Sequence, residues 1–95
     1  MISFETLIGK QVIGTSGFII GQVKGASLDT KTWQVLQLYV KLSDNAATEL
    51  GFKKRFRSST VCIPTKMIQA VGDVITMAPP LKELGASSEI TEYQP

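Results

Sequence analysis

Residues 7–42 carry the pattern that most constrains the fold, because three short apolar runs follow one another there with turn residues between them. The first and second runs are separated by residues 15–17 (Thr-Ser-Gly), and the second and third by residues 29–31 (Asp-Thr-Lys). Short apolar runs bounded by Gly, Ser and Asp are typical of strands joined by tight turns. We therefore predict an antiparallel meander in which each strand pairs with the next.

Glycines inside the second run indicate that this meander is curled. Gly21 and Gly25 interrupt residues 18–28, and glycine within a strand usually marks a bulge or a sharp bend. Repeated bends of this kind close a small sheet toward a barrel. We predict an all-β, six-stranded, strongly coiled barrel with strands at residues 11–15, 18–28, 33–42, 61–63, 68–71 and 73–77.

The third strand alternates most clearly. At period two, one face carries Leu36, Leu38, Val40 and Leu42, and the other carries Trp33, Val35, Gln37, Tyr39 and Lys41. The Leu/Val face is predicted to form the core. The opposite face should then meet water in a monomer, although it carries aromatic and β-branched side chains.

An apolar outer face has two explanations. One is that the short helix and the C-terminal tail cover it within one chain. The other is an intermolecular contact, since Trp and Tyr are favoured anchors at protein interfaces. We predict a homodimer or partner interface formed by Phe18, Ile19, Trp33, Val35 and Tyr39.

The remaining segments predict one short helix and a tail. Residues 43–51 begin with a capping Ser-Asp pair and end at a glycine, which favours two helical turns. Residues 79–80 (Pro-Pro) stop the fold, so residues 1–78 are taken as the domain and 79–95 as a polar tail. Within that tail, Ile90 and Tyr93 are a possible contact: the tail is either disordered or adds a strand to an open edge.

A basic run at residues 53–57 is a possible docking surface, formed by Lys53, Lys54, Arg55, Phe56 and Arg57. Its simplest interpretation is a solvated loop. The alternatives are RNA, with Phe52 and Phe56 stacking on bases, or an acidic protein segment or anionic lipid. The net charge of +2 is too small to imply nucleic acid by itself.

The side chains available for chemistry are few. The chain has 95 residues, no histidine and one cysteine, Cys62, which lies in an apolar run. Without a histidine to activate it, Cys62 is expected to be a structural thiol. No zinc-ligand or phosphate-loop spacing occurs, so we expect no catalytic residue, no metal and no cofactor. No apolar run approaches the roughly 18 residues that span a bilayer, and no signal peptide is recognisable, so a cytoplasmic protein is expected.

Two groups of residues carry a resemblance to a known family. The first is Leu7-Ile8-Gly9-Lys10-x-Val12, with Gly17 and Ile20-Gly21-x-Val23 after it. The second is Ile63-Pro64-x-x-x-Ile68-x-x-Val71-Gly72-Asp73-Val74. In this order and spacing they resemble the PRC-barrel family over about residues 7–78. At Phe18 and Ile19 the chain departs from the family, which usually has a polar or charged pair there, and this departure favours an apolar contact.

The resemblance implies a PRC-type β-barrel without catalytic machinery. A freestanding barrel of this length is most similar to archaeal PRC-barrel proteins, some of which are implicated in cell division as homodimeric adaptors connected to SepF, the membrane anchor of the FtsZ ring. We therefore expect an adaptor at the division site, with SepF or another PRC-barrel protein as partner. The alternative is an RNA- or ribosome-associated assembly factor, since a related domain ends the ribosome-maturation protein RimM.

Overall fold

The computed structural model describes residues 3–93, which form a mostly β structure with one curled, half-barrel sheet. Its strands are β1 (Gln11–Ile13), β2 (Ile19–Asp29), β3 (Gln34–Leu42), β4 (Thr60–Pro64), β5 (Ile68–Val71), β6 (Ile75–Met77) and β7 (Thr91–Glu92). Its helices are α1 (Phe4–Leu7), α2 (Asp44–Glu49), α3 (Phe52–Arg55) and α4 (Leu81–Ala86). Single 3-10 turns lie at Thr15–Gly17 and Thr65–Met67.

The strand order is β5-β6-β1-β2-β3-β4-β7. The predicted meander is confirmed for β1 to β4, which pair antiparallel with their neighbours in sequence. Strand β6 instead pairs parallel with β1, so the chain crosses over to reach the far side of the sheet. The described residues contain seven strands rather than six, because residues 91–92 add one to the edge of β4.

The prediction of one short helix was correct at α2 and incomplete elsewhere. The Ser43 hydroxyl accepts a hydrogen bond from the Ala46 N–H at 3.0 Å, and Gly51 follows the helix with a φ of +77°. These are the cap and the left-handed end that the sequence indicated. The basic run, expected as a solvated loop, instead begins as helix α3.

A bulge in β3 corrects the predicted core face. Leu38, Val40 and Leu42 are buried, but Leu36 is 49% exposed. Strand β2 pairs Ser27 with Gln37 and then Leu28 with Val35, so Leu36 is an extra residue in the ladder. Because a bulge reverses the alternation of side chains beyond it, Val35 packs against the core in the place predicted for Leu36.

The core draws on residues beyond the predicted domain end at 78. Leu84 of α4 and Ile90 before β7 are at most 2% exposed and pack with the buried side chains of β1 to β4 and β6. Gly85 allows α4 to approach closely, since a Cβ there would lie 2.7 Å from the carbonyl oxygen of Leu50. Within residues 3–93, the segment after the prolines is therefore an integral layer of the fold.

Candidate interaction surface

The turn between β2 and β3 is built around Asp29. Its carboxylate accepts a hydrogen bond from the Lys31 N–H at 2.9 Å, and its carbonyl accepts one from the Trp33 N–H at 2.6 Å. These bonds close the turn and place Trp33 in the left-handed region, with a φ of +59°. A bulky residue is an outlier in this region, where glycine and asparagine are preferred.

The Trp33 side chain projects from this turn into solvent. It is 73% exposed, the highest fraction among the large hydrophobic residues described. Leu28 and Leu36, in the adjoining rungs of the hairpin, are also exposed. We call Leu28, Trp33 and Leu36 the hairpin-tip surface, and they place three large apolar side chains at one end of the domain. Apolar side chains grouped in this way on a surface are typical of binding sites.

The five residues predicted to share an interface do not form one patch. Gly21 pairs with Leu42, so the start of β2, where Ile19 is 48% exposed, lies beside the end of β3 that is remote from Trp33. Phe18, next to Ile19, is half-buried against the core. The hairpin therefore carries its exposed apolar residues at both ends.

Val35 and Tyr39, the other two predicted interface residues, are partly covered within the chain. Val35 packs against the core and lines a small pocket with Phe4 and Leu7. The Tyr39 ring lies against Tyr93, with 4.5 Å between ring centroids. For Tyr39, the structure agrees with the first explanation, in which the C-terminal tail covers the outer face.

The basic run divides into exposed and engaged side chains. Lys53, Lys54 and Arg57 are exposed, whereas Phe52 is only 1% exposed and belongs to the core. Phe56 is half-buried, and the Arg55 guanidinium lies over its ring at 4.8 Å from the centroid. Phe52 is therefore closed to base stacking, and Phe56 presents its ring to Arg55.

Arg55 has a structural role that the sequence did not reveal. Its guanidinium donates hydrogen bonds to the carbonyl oxygens of Gly85, Ser87 and Ile90 at 3.1, 2.9 and 3.3 Å. A basic residue in a charged run gives no signal of such a role, because its acceptors are backbone atoms about thirty positions away. Only the position of α4 relative to α3 brings them together.

The two residues singled out in the tail are both in contact with the domain. Ile90 is 1% exposed in the core, and Tyr93 lies on Tyr39. Strand β7 pairs antiparallel with β4, through Val61 with Glu92 and Cys62 with Thr91. Of the two alternatives, addition of a strand to an open edge is the one seen, and the edge belongs to the same chain.

The single cysteine, Cys62, lies buried in β4 beside β7. Burial raises the pKa of the Cys62 thiol, and a hydrogen bond with the Thr91 side chain opposes this shift. Among residues 3–93, no cluster of three or more His, Cys, Asp or Glu side chains is placed to hold a metal ion. In the same part of the chain, no helix has the length and apolar character that crossing a membrane requires.

Sequence reasoning missed Leu28 and Leu36, the two exposed leucines of the hairpin tip. Leu28 lies near the end of an apolar run and Leu36 alternates with core residues, so both resemble core positions. One signal for their exposure was the turn at residues 29–33, which marks the end of the hairpin. The hairpin extends beyond its neighbour β4, whose pairing with β3 stops at Gln37. A tip of this kind exposes both faces of its last rungs.

Taken together, the curled half-barrel sheet and its short helices define a small β-barrel-like domain. The comparison with protein families identifies it: residues 1–84 match the model of the PRC-barrel domain, and the chain belongs to that family. The comparison with curated proteins gives no match.

Proposed function

We propose that this PRC-barrel domain is a non-enzymatic adaptor that self-associates through the hairpin-tip surface and links a second protein to the resulting homodimer. The domain offers a rigid sheet with an apolar end, which suits binding better than bond-making. In a C2 dimer the same patch meets itself, so an indole and two leucines from each copy would bury one another.

The observation that carries this proposal is the conformation and exposure of Trp33. A bulky residue in the left-handed region costs on the order of 1 kcal/mol relative to a preferred conformation. A side chain that is 73% exposed recovers little of that cost within its own chain. Burial of the indole against another molecule would recover it, since Trp is among the strongest anchors at protein interfaces.

The finer assignment rests on the family resemblance. Freestanding archaeal PRC-barrel proteins include homodimeric adaptors of the division machinery, and we propose that this chain acts there, in the cytoplasm, with SepF or another PRC-barrel protein as its partner. Physical reasoning supports an adaptor in general, whereas the partner's name comes from that resemblance.

The RNA-associated alternative has weaker support. The predicted stacking residue Phe52 is buried, and Arg55 is held by backbone carbonyls. Lys53, Lys54 and Arg57 remain as three exposed charges, which would give only weak and salt-sensitive attachment. An RNA mobility shift that persists at physiological salt would favour this alternative over the adaptor.

Trp33→Asn is the variant that tests self-association, because asparagine tolerates the left-handed conformation and removes the indole. We expect multi-angle light scattering to give a dimer mass for the wild type and a monomer mass for the variant at the same concentration. Trp33 is the single tryptophan, so its fluorescence should shift to the red when the wild type is diluted.

Val71→Thr is the matched control, since Val71 is also an exposed apolar residue but lies on the edge strand β5. It should leave the dimer mass unchanged. A wild-type monomer at every accessible concentration would contradict the proposed interface. So would a Trp33→Asn dimer in protein refolded from dilute solution, where each chain captures its own C-terminal residues.

A further inference from the structure

The C-terminal segment, defined as residues 81–93, is held against the rest of the domain in the manner of a bound peptide. Leu84 and Ile90 anchor it in the core at two points. Between these anchors, the Lys66 ammonium forms a 2.7 Å ion pair with the Glu89 carboxylate on the surface. The segment is therefore fixed along its length by contacts to residues that precede it.

Arg55 binds the segment through its backbone. The guanidinium donates to three carbonyl oxygens of the segment, at Gly85, Ser87 and Ile90. The planar fork of arginine suits such multiple contacts, and the nearby Phe56 ring supports it from one side. This arrangement holds the backbone from the end of α4 toward β7, and the Ile90 side chain is buried in the core beside it.

The last residues of the segment complete the recognition at the edge of β4. The Glu92 carboxylate accepts hydrogen bonds from the backbone N–H groups of Arg57 and Ser58, the second at 3.0 Å. The Tyr93 N–H donates to the Thr60 carbonyl at 3.0 Å, so the segment continues the ladder as an added strand. Strand addition of this kind is a general way in which sheets bind peptides.

The connection that carries the segment is short and exposed. Ala78 and Pro80 are exposed, and the two prolines have no N–H group to donate. Just before the prolines, the Ala78 N–H donates a hydrogen bond to the Met67 carbonyl at 2.8 Å. A change in the backbone direction at residues 79–80 would move residues 81–93 away from their own domain. Few hydrogen bonds made by residues 78–80 would be broken.

We propose that the C-terminal segment exchanges between two copies of this chain, so that the groove beside β4 in each copy receives residues 81–93 of the other. The contacts described above join the segment to the domain through Arg55, Glu92 and Ile90. They are the same whichever copy supplies the segment, which makes exchange a low-cost route to a dimer.

Exchange requires the segment to leave the core, so it is expected to be slow in the folded protein and frequent during folding. Release exposes Leu84 and Ile90 to water, which opposes opening once the domain has folded. During refolding, high protein concentration favours capture of the segment from a second copy, and low concentration favours capture within one chain. This inference does not depend on the proposed role of Trp33.

Thr91→Cys tests the proposal, because Thr91 pairs with Cys62 in the β4–β7 ladder and Cys62 is the single cysteine. Paired residues on adjacent strands have Cα atoms at the separation that a disulfide needs. The variant is refolded at two concentrations that differ about a hundredfold, oxidised, and separated on a non-reducing gel.

We expect the share of covalent dimer to rise at least tenfold from the dilute to the concentrated sample. An intramolecular disulfide alone at both concentrations would overturn exchange. Repeating the experiment with Trp33→Asn added separates the two ideas: a disulfide-linked dimer should persist in that background, although the proposed hairpin-tip contact is removed.

A mixed experiment covers the case in which Thr91→Cys folds poorly. The wild type, with Cys62, is refolded together with a Cys62→Ser/Thr91→Cys copy, so a disulfide between Cys62 and position 91 can form only between copies. Ser88→Cys in place of Thr91→Cys is the control, since Ser88 is exposed and outside the ladder. Equal yields of mixed disulfide from the two pairs would contradict exchange.

Discussion

Two aromatic residues of the β2–β3 hairpin lie in opposite surroundings. Trp33, at the tip, is exposed and held in the left-handed region. Tyr39, near the middle of β3, is partly buried beneath Tyr93, and the segment that carries Tyr93 is anchored by Arg55 and Ile90. The two residues belong to one hairpin, but only Tyr39 is covered by another part of the chain.

The difference shows how a small domain covers its apolar surface. The β4 edge is covered because residues 81–93 return to it and contribute a strand. The hairpin tip extends beyond the sheet, and Leu28, Trp33 and Leu36 stay exposed there. If this comparison is sound, substitutions at the covered edge should change the free energy of unfolding, and substitutions at the tip should mainly change association.

The largest effect is expected at the covered edge. Ile90→Ala removes a fully buried side chain and should lower the free energy of unfolding by about 2–4 kcal/mol. The measurement is urea unfolding followed by circular dichroism. Leu36→Ala is the control at the tip, where removal of a half-exposed leucine should cost less than about 0.5 kcal/mol. Similar losses for the two variants would remove the distinction between the regions.

Arg55→Lys should have the next largest effect. Lysine keeps the charge but loses the planar fork that reaches the carbonyls of Gly85, Ser87 and Ile90, so the free energy of unfolding should fall by about 1 kcal/mol. Hydrogen exchange should show faster loss of protection at the Tyr93 amide, which bonds to Thr60. Arg57→Lys is the matched control, because the Arg57 contact with Glu92 is made by its backbone N–H.

The strands and the helix of the covered region could largely be predicted from the sequence. The docking of residues 81–93 against them could not. Local signals were sufficient for the turns, for the capped helix after Ser43, and for an antiparallel meander. The position of the tail depended on contacts between residues 55–58 and residues 85–92, which no local pattern reports. Ile90 and Tyr93 were recognised only as an apolar pair within a polar stretch.

The candidate site was predicted less well than the fold, and the reason is register. Strict alternation along β3 places Leu36 inside and Val35 outside, and the bulge opposite residues 27–28 reverses both. Trp33 was correctly singled out as apolar and outward-facing. Its left-handed conformation is set by the turn at Asp29, and it could not be predicted for a residue that avoids that region.

Relief of backbone strain at the tip should produce a smaller effect of opposite sign. Trp33→Asn should raise the free energy of unfolding of the dilute monomer by about 0.5–1 kcal/mol, because asparagine tolerates a φ of +59°. Ser16, with a φ of +67° in the first turn, provides the comparison. Ser16→Asn should also stabilise the monomer but should not change the association of the wild type. A destabilised Trp33→Asn monomer would show that the indole supports the fold.

The smallest effect concerns the covered edge at alkaline pH. Burial raises the pKa of the Cys62 thiol above its value in the unfolded chain, so the unfolded state loses its thiol proton first as the pH increases. Below about pH 8.5 both states keep that proton, and the stabilising contribution is complete. It decreases as the pH rises toward the folded-state pKa, because ionisation then favours unfolding. Urea unfolding at neutral pH and near pH 10 should show a smaller alkaline loss for Cys62→Val than for the wild type, since the substitution removes this thiol and changes no other titratable residue. Equal losses in the two proteins would mean that the thiol ionises as readily under β7 as in the unfolded chain.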